Sequence, residues 1–211
     1  MEQSLYLHSA SSKDEEYTYQ PTRWWSLYKQ DMSRYKRYRM GRPLLAIFMT
    51  EQGLWAILQY RIASAVYRSR LPRLIKVPLL ALAIIWLKII QMTTGISIVH
   101  EATIGPGFYI GHFGNIFIGG KAVLGHTCNI SQGVSIGLAG RGEKRGYPTI
   151  GNRVFIGANA VVVGKITVGD DAVIAANSLV VTDVAAHTTV MGVPARSRGT
   201  DGSEAYINPP A

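Results

Sequence analysis

Residues 149–180 read TIGNRVFIGANAVVVGKITVGDDAVIAANSLV, with an aliphatic residue at every sixth position: Ile150, Ile156, Val162, Val168, Ile174 and Val180. Extended toward the N-terminus, the series continues through Ile98, Ile104 and Ile110, then Ile118, Leu124, Ile130 and Ile136. All 13 positions are aliphatic, and glycine follows at 8 of them. A period of six matches neither an amphipathic helix nor a hairpin meander. It matches a solenoid whose coil has three short strands, one hexad per face, with the aliphatic side chain pointing inward. Small or apolar residues four places on fill the narrow interior: Ala102, Ala122, Cys128, Val134, Val154, Ala160, Ala172 and Ser178. Cys128 is therefore read as packing and not as a nucleophile.

Two interruptions of the period stand out. The step from Ile110 to Ile118 has two extra residues, which enlarge the turn His112–Asn115. The step from Ile136 to Ile150 has eight extra residues, which leave the coil as the loop 137–149, GLAGRGEKRGYPT. Insertions in a solenoid cost little, because each coil contacts only its neighbours, and they often mark the binding face.

Hexads three apart stack on one face, so those starting at Ile110, Ile130, Ile156 and Ile174 form a column. Their third residues are His112, Gln132, Ala158 and Ala176. One corner of the prism thus carries a histidine, an amide and two alanines. That arrangement suggests a base at the end of a groove able to take an extended ligand. His100, His126 and His187 fall elsewhere and are expected to be structural or solvent-facing. No histidine or acid pair has a metal-ligand spacing, so no metal is expected.

Before the repeat, Trp24–Thr94 reads as helical, with breaks at Gly41–Pro43 and near Leu71–Pro72; the three expected helices end at Met92. The apolar run Val77–Leu87 is 11 residues long, short of the roughly 20 needed to span a bilayer. The net charge of +9 is concentrated here: residues 21–100 hold 13 Lys and Arg against Asp31 and Glu51. An anionic membrane face or a pyrophosphate-bearing substrate would suit that charge. Nucleic acid is not expected, because no recognised module is present. A single cysteine excludes an intramolecular disulfide framework and fits a reducing compartment. Residues 1–20 are polar and read as a disordered tail, and residues 197–211 as a flexible one. The expected domains are therefore a basic helical segment, 21–94, and a solenoid, 95–196.

The pieces GISI, IGPGFYIGHFGNI, NISQGVSIG, PTIGNRVFIGANAVV and HTTVMGVPAR resemble the hexapeptide-repeat acyltransferases, in particular their serine acetyltransferase-like branch. The resemblance covers about half the chain. It implies a left-handed parallel β-helix, a homotrimer with sites between subunits, and acetyl-CoA as co-substrate. It also implies that His112 is the catalytic base, removing a proton from the acceptor hydroxyl as that attacks the thioester. Imidazole suits that task near neutral pH. Gly137, Ala158 and Ala176 match coenzyme A contacts, with Lys144 and Arg153, and further Arg145, Lys165 and Arg196, as candidates to meet its phosphates. Gly111, Asn115, Gln132, Arg145 and Tyr147 are the candidate acceptor-contacting positions.

Departures from the serine acetyltransferase pattern bear on the acceptor. Gly111 stands where that pattern has aspartate, Gly146 and Tyr147 where it has an Arg-His pair, and Ser97 where it has the acid orienting the histidine. An amino-acid acceptor needs a cation for its carboxylate and an acid for its ammonium. The GHFG and PTIG motifs resemble enzymes of exopolysaccharide and capsule (colanic acid-type) biosynthesis. The expectation is therefore transfer of acetyl to a sugar hydroxyl, with a lipid-linked saccharide as the partner. The expected location is the cytoplasm, with peripheral contact at the inner membrane face through 21–94. Serine O-acetylation is the alternative, and a catalytically silent β-helix scaffold the third reading.

Overall fold

The structure, a computed structural model, describes residues 24–207. The expected tail at 1–20 lies outside the described residues, as do the last four positions of the expected C-terminal tail. Among the described residues, four helices precede the solenoid: α1 (Trp24–Tyr38), α2 (Leu44–Thr50), α3 (Gln52–Arg68) and α4 (Arg73–Thr94). A fifth, α5 (Glu204–Ile207), closes the described chain.

The solenoid has three parallel faces. The first stacks β1 (Ile96–Ile98), β4 (Ile116–Ile118), β7 (Ser135–Gly137), β10 (Val161–Val163) and β13 (Leu179–Val180). The second stacks β2 (Thr103–Ile104), β5 (Val123–Leu124), β8 (Thr149–Ile150) and β11 (Thr167–Val168). The third stacks β3 (Tyr109–Ile110), β6 (Asn129–Ile130), β9 (Phe155–Ile156), β12 (Val173–Ile174) and β14 (Thr189–Gly192). β15 (Ala195–Gly199) then turns back antiparallel on β14. Cα partners such as Ile110 with Ile130 and Ile130 with Ile156 fall on the six-residue series. All 13 series positions are buried, as are the eight fillers, Cys128 included. This is the left-handed β-helix of hexapeptide repeats, about five coils long.

The helices cap the open N-terminal end of this stack. A solenoid's first coil presents unpaired backbone groups, and two tyrosines satisfy part of that edge. The Tyr35 hydroxyl donates to the Ile110 carbonyl (3.0 Å) and accepts from the Ile110 N–H (3.1 Å). Tyr60 donates to Ala102 O (2.8 Å) and accepts from Ile104 N (3.1 Å). Arg61, fully buried, forks onto Asp31 (2.9 and 3.0 Å) and also donates to the carbonyls of Ile104 (2.6 Å) and Gly105 (2.7 Å). Asp31 in turn accepts from Phe108 N (2.8 Å). Arg34 donates to the carbonyls of Gly107, Thr127 and Ile207 and to the Asn129 side chain. Arg34 and Arg61, two of the 13 basic residues in 21–100, therefore hold the cap to the solenoid.

Three boundaries differ from the sequence reading. The expected second helix is two, broken at Glu51, whose backbone is extended (φ −104°, ψ 91°) between α2 and α3. The apolar run at 77–87 lies inside a longer helix: α4 has 22 residues, and only 11% of its most apolar 18-residue stretch is buried. By length and composition that helix could cross a membrane, a test that core helices of soluble proteins also pass. Pro78 is accommodated in its second turn, at the cost of one backbone donor. Finally, residues 197–207 are not a loose tail. β15 runs to Gly199, Tyr206 stacks on Phe155 at 4.4 Å between ring centroids, and Ser203 and Ile207 are buried.

Candidate active site

β3 ends at Ile110, and the enlarged turn carries Gly111, His112, Phe113, Gly114 and Asn115 before β4 begins at Ile116. Asn115 takes φ +50°, the left-handed conformation that asparagine tolerates best after glycine. The corner between the third and first faces repeats this geometry at each coil. Gly133 N donates to Gly114 O (2.9 Å), Asn159 N to Gln132 O (2.9 Å) and Asn177 N to Ala158 O (2.8 Å). His112, Gln132, Ala158 and Ala176 thus share one corner, with His112 and Ala176 exposed. Among the described residues, Gln132 Oε1 is buried without a hydrogen-bond partner. A buried unpaired acceptor is costly.

His112 opens onto a cleft of about 160 Å³ lined by Arg39, Thr50, Glu51, Gln52, Gly53, Ile110, Gly111 and Phe113. Two observations explain how the helical cap reaches it. The Tyr35 bonds to Ile110 fix α1 two residues from His112. Gly53, in the first turn of α3, lies so close to Ile110 that an added Cβ would sit 2.9 Å from the Ile110 Cβ and would also meet the Tyr35 hydroxyl. Within the cleft Arg39 Nε meets Glu51 Oε1 at 2.7 Å, with the Glu51 side chain 11% and the Arg39 side chain 37% exposed. Glu51 also precedes the N-terminus of α3, where a carboxylate is favoured by the helix dipole. Sequence reasoning missed both residues, because it treated 21–94 as one basic surface. The available signal was that Glu51 is one of only two acids in residues 21–100.

Ser97 is engaged elsewhere, its hydroxyl accepting from Gln91 Nε2 at 2.7 Å. Glu101 packs beside Gly120, one turn away from the enlarged loop. Among the described residues no side chain hydrogen-bonds to the His112 ring.

The remaining expected positions lie at other corners. Loop 137–149 leaves between the first and second faces; Ala139 and Gly146 bridge it, and Gly142–Lys144 forms a short 3-10 turn. Tyr147 packs on Gly119 at that corner, Arg145 and Lys144 are exposed, and a second cleft of about 360 Å³ lies between Lys144 and Lys165. Gly137 is buried beneath the Phe117 ring. Arg153 belongs to the corner between the second and third faces, where it forks onto Asp171 at 2.7 and 2.6 Å. Within one chain, then, His112 shares its corner with Gly111, Asn115, Gln132, Ala158 and Ala176, while Gly137, Lys144, Arg145 and Tyr147 gather across the first face. Arg196 donates to the neighbouring Ala195 carbonyl.

The other histidines do not converge on this site. His126 contacts Thr127 Oγ1 at 3.1 Å, His100 meets the Tyr67 ring edge-on at 5.1 Å, and His187 is 3.8 Å from Asp171. Burial lowers the affinity of His126 and His100 for a proton, and for His126 the charge of Arg153 adds to that effect. Burial also pushes the Cys128 thiol up to about 12, which keeps it out of thiolate chemistry. Among the described residues no group of three His, Cys, Asp or Glu could hold a metal ion.

A three-faced solenoid of six-residue repeats, with an exposed histidine at an enlarged corner, defines a class of transferase scaffold. The chain belongs to the hexapeptide-repeat transferase family. The family described as bacterial transferase hexapeptide (six repeats) matches residues 147–182. Across more of the chain it is 36% identical to a serine acetyltransferase of Bacillus pumilus, covering 74% of this chain and 68% of that one. It is 34% identical to one from Helicobacter pylori, covering 72% and 84%. A Synechococcus elongatus serine acetyltransferase is 33% identical, and this chain spans 63% of its length. A solved serine acetyltransferase from Brucella abortus, in complex with coenzyme A, superimposes with a TM-score of 0.73 at 28% identity, covering 85% of this chain and 69% of that one.

These relatives correct the expected acceptor. A sugar hydroxyl in exopolysaccharide or capsule biosynthesis was expected because the loop had lost its charged pair, yet the relatives are named for serine. That expectation placed the cation and the acid in the loop, whereas those that line the cleft with His112, Arg39 and Glu51, come from the helical cap. Neither a saccharide nor a membrane finds support in these relatives.

Proposed function

We propose that this protein is an acetyl-CoA-dependent serine O-acetyltransferase in which His112 is the general base. The observation that carries the reading is the corner column. An exposed imidazole stands on an enlarged turn above a buried unpaired Gln132 oxygen and two alanines. In this reading His112 takes the proton of the serine hydroxyl while that oxygen attacks the thioester carbonyl. The tetrahedral intermediate then collapses, the C–S bond breaks, and the thiolate recovers a proton. Ala158 and Ala176 leave the backbone accessible to an extended pantetheine arm.

The reading includes a homotrimer. Face one is bounded by the His112 corner on one side and loop 137–149 on the other. Its outward residues are Ser97 and Ser135 together with an apolar group, in which Phe117 and Val181 are 44% and 43% exposed and Val161, Val163 and Leu179 are half-buried. Face two presents Thr103, Val123, Thr149 and Thr167 outward, and face three is covered by α1 and α5. Packing face one about a threefold axis would bring Gly137, Lys144, Arg145 and Tyr147 of one copy to the His112 corner of the next.

Thiol release from acetyl-CoA with and without L-serine tests the function. Serine-dependent release that His112→Ala abolishes is expected. Absence of serine-dependent release in the wild type would overturn the acceptor, and absence of coenzyme A binding would leave a non-catalytic scaffold.

A further inference from the structure

We infer that Arg39 and Glu51 hold the acceptor, Arg39 through its α-carboxylate and Glu51 through its α-ammonium. The inference rests on the amino-acid acceptor proposed above and names the side chains that replace the loop's missing charged pair. The two residues line the same cleft as His112. Their mutual contact uses only Arg39 Nε and Glu51 Oε1. Among the described residues, no hydrogen bond engages either Nη group of Arg39 or Oε2 of Glu51. A guanidinium edge is the geometry that a carboxylate accepts bidentately, and a free carboxylate oxygen suits an ammonium. The other acid of residues 21–100, Asp31, is buried and committed to Arg61.

Charge balance narrows the ligand further. An ion pair presents opposite charges side by side, so it matches a zwitterion and discriminates against a net anion or a net cation. Size agrees: the cleft is about 160 Å³, below the roughly 300–1,000 Å³ of pockets that take drug-sized ligands. A hydroxyl-bearing amino acid anchored at both charges would present its side chain toward His112. A purely structural role, pinning the end of α1 to the α2–α3 junction, would need no uncommitted donors facing the cleft.

Steady-state kinetics with matched acceptors separates these roles. Arg39→Met and Glu51→Gln should each raise the serine KM about ten- to a hundredfold, the cost of one charge-assisted hydrogen bond, with kcat little changed. For ethanolamine, which lacks the carboxylate, kcat/KM should be the same in wild type and Arg39→Met. For N-acetylserine, which lacks the ammonium, it should be the same in wild type and Glu51→Gln. Thermal melting identifies any variant that fails to fold; Arg39→Lys, which keeps the charge but not the fork, then stands in. A serine KM within twofold of wild type in both folded variants overturns the pair's role while leaving the serine reading intact. Calorimetry with L-alanine, a zwitterion without a hydroxyl, completes the separation. Alanine binding lost in both variants supports the pair even if serine is not acetylated, and no alanine binding to the wild type overturns it.

Discussion

Gly53 shows how a single residue sets the distance between cap and site. Its neighbours leave no room for a Cβ, with the Ile110 Cβ 2.9 Å from where one would stand and the Tyr35 hydroxyl nearer. Gly53→Ala should therefore push α3 from β3, costing about 1–3 kcal/mol as overpacking does, and should raise the serine KM as the cleft widens. Chemical denaturation and kinetics on the same variant check both. At His112 itself the expectation is different in kind. Replacement by alanine removes the proposed base without disturbing an exposed turn, so turnover should fall about 10²–10⁴-fold while melting temperature and coenzyme A binding hold. Cys128 makes the opposite case, buried on all sides with its thiol near 12. It should resist iodoacetamide in the native protein and react on unfolding, as mass spectrometry would show. The role of Cys128 as packing was legible from its place four residues after Leu124, because a period locates the interior without any tertiary information. Arg39 and Glu51 were not legible as neighbours of His112. They sit 73 and 61 positions before it, and only the docking of α1 and α3 brings them there.

Between elements, the cap and the solenoid are joined by buried polar contacts whose strength depends on completeness. The Arg61–Asp31 pair is fully buried; it joins α1 to α3, and its bonds to Ile104, Gly105 and Phe108 reach the first coil. Asp31→Asn would leave the guanidinium without its counter-charge and should destabilise by about 3–5 kcal/mol, measurable as a lower urea midpoint with the cap lost before the coils. Pairing of the coils themselves was readable, since aliphatic residues six apart can share an interior only in a three-strand coil. The break at Glu51 was not, because nothing in LLAIFMTEQGLWAIL interrupts a helical pattern as proline would; the chain turns there so that α3 can lie against β1 and β3. pH acts on the same scale. His100 and His126 bind protons less readily in the folded chain than at their ordinary value of 6.5. Protonation therefore favours the unfolded chain, so the stability they contribute is present above about pH 6.5 and lost as pH falls below it. The melting temperature should drop between pH 7.5 and 5.5, and His100→Asn with His126→Asn should flatten that drop.

For the whole molecule, the decisive question is where one site's residues come from. In a single chain the His112 corner and loop 137–149 stand on opposite edges of face one, with Phe117 exposed between them. If each site is built from one chain, a subunit lacking either part is dead in any company. If a closed ring of three joins the corner of one copy to the loop of the next, the two defects complement. Mixing His112→Ala chains with chains carrying Lys144→Ala, Arg145→Ala and Tyr147→Ala, each inactive alone, tests this directly. Random assembly after joint refolding places an intact corner beside an intact loop at about one interface in four. Activity should then recover to about a quarter of wild type. The mixture should elute at three times the 23.1 kDa chain mass. Phe117→Asp, which sets a charge on face one in each subunit, should dissociate the ring and abolish activity without altering the fold of the coil, because that side chain points away from the buried series. Recovery absent from refolded mixtures that still run as trimers would place the complete site in one chain and remove the loop from the chemistry at His112.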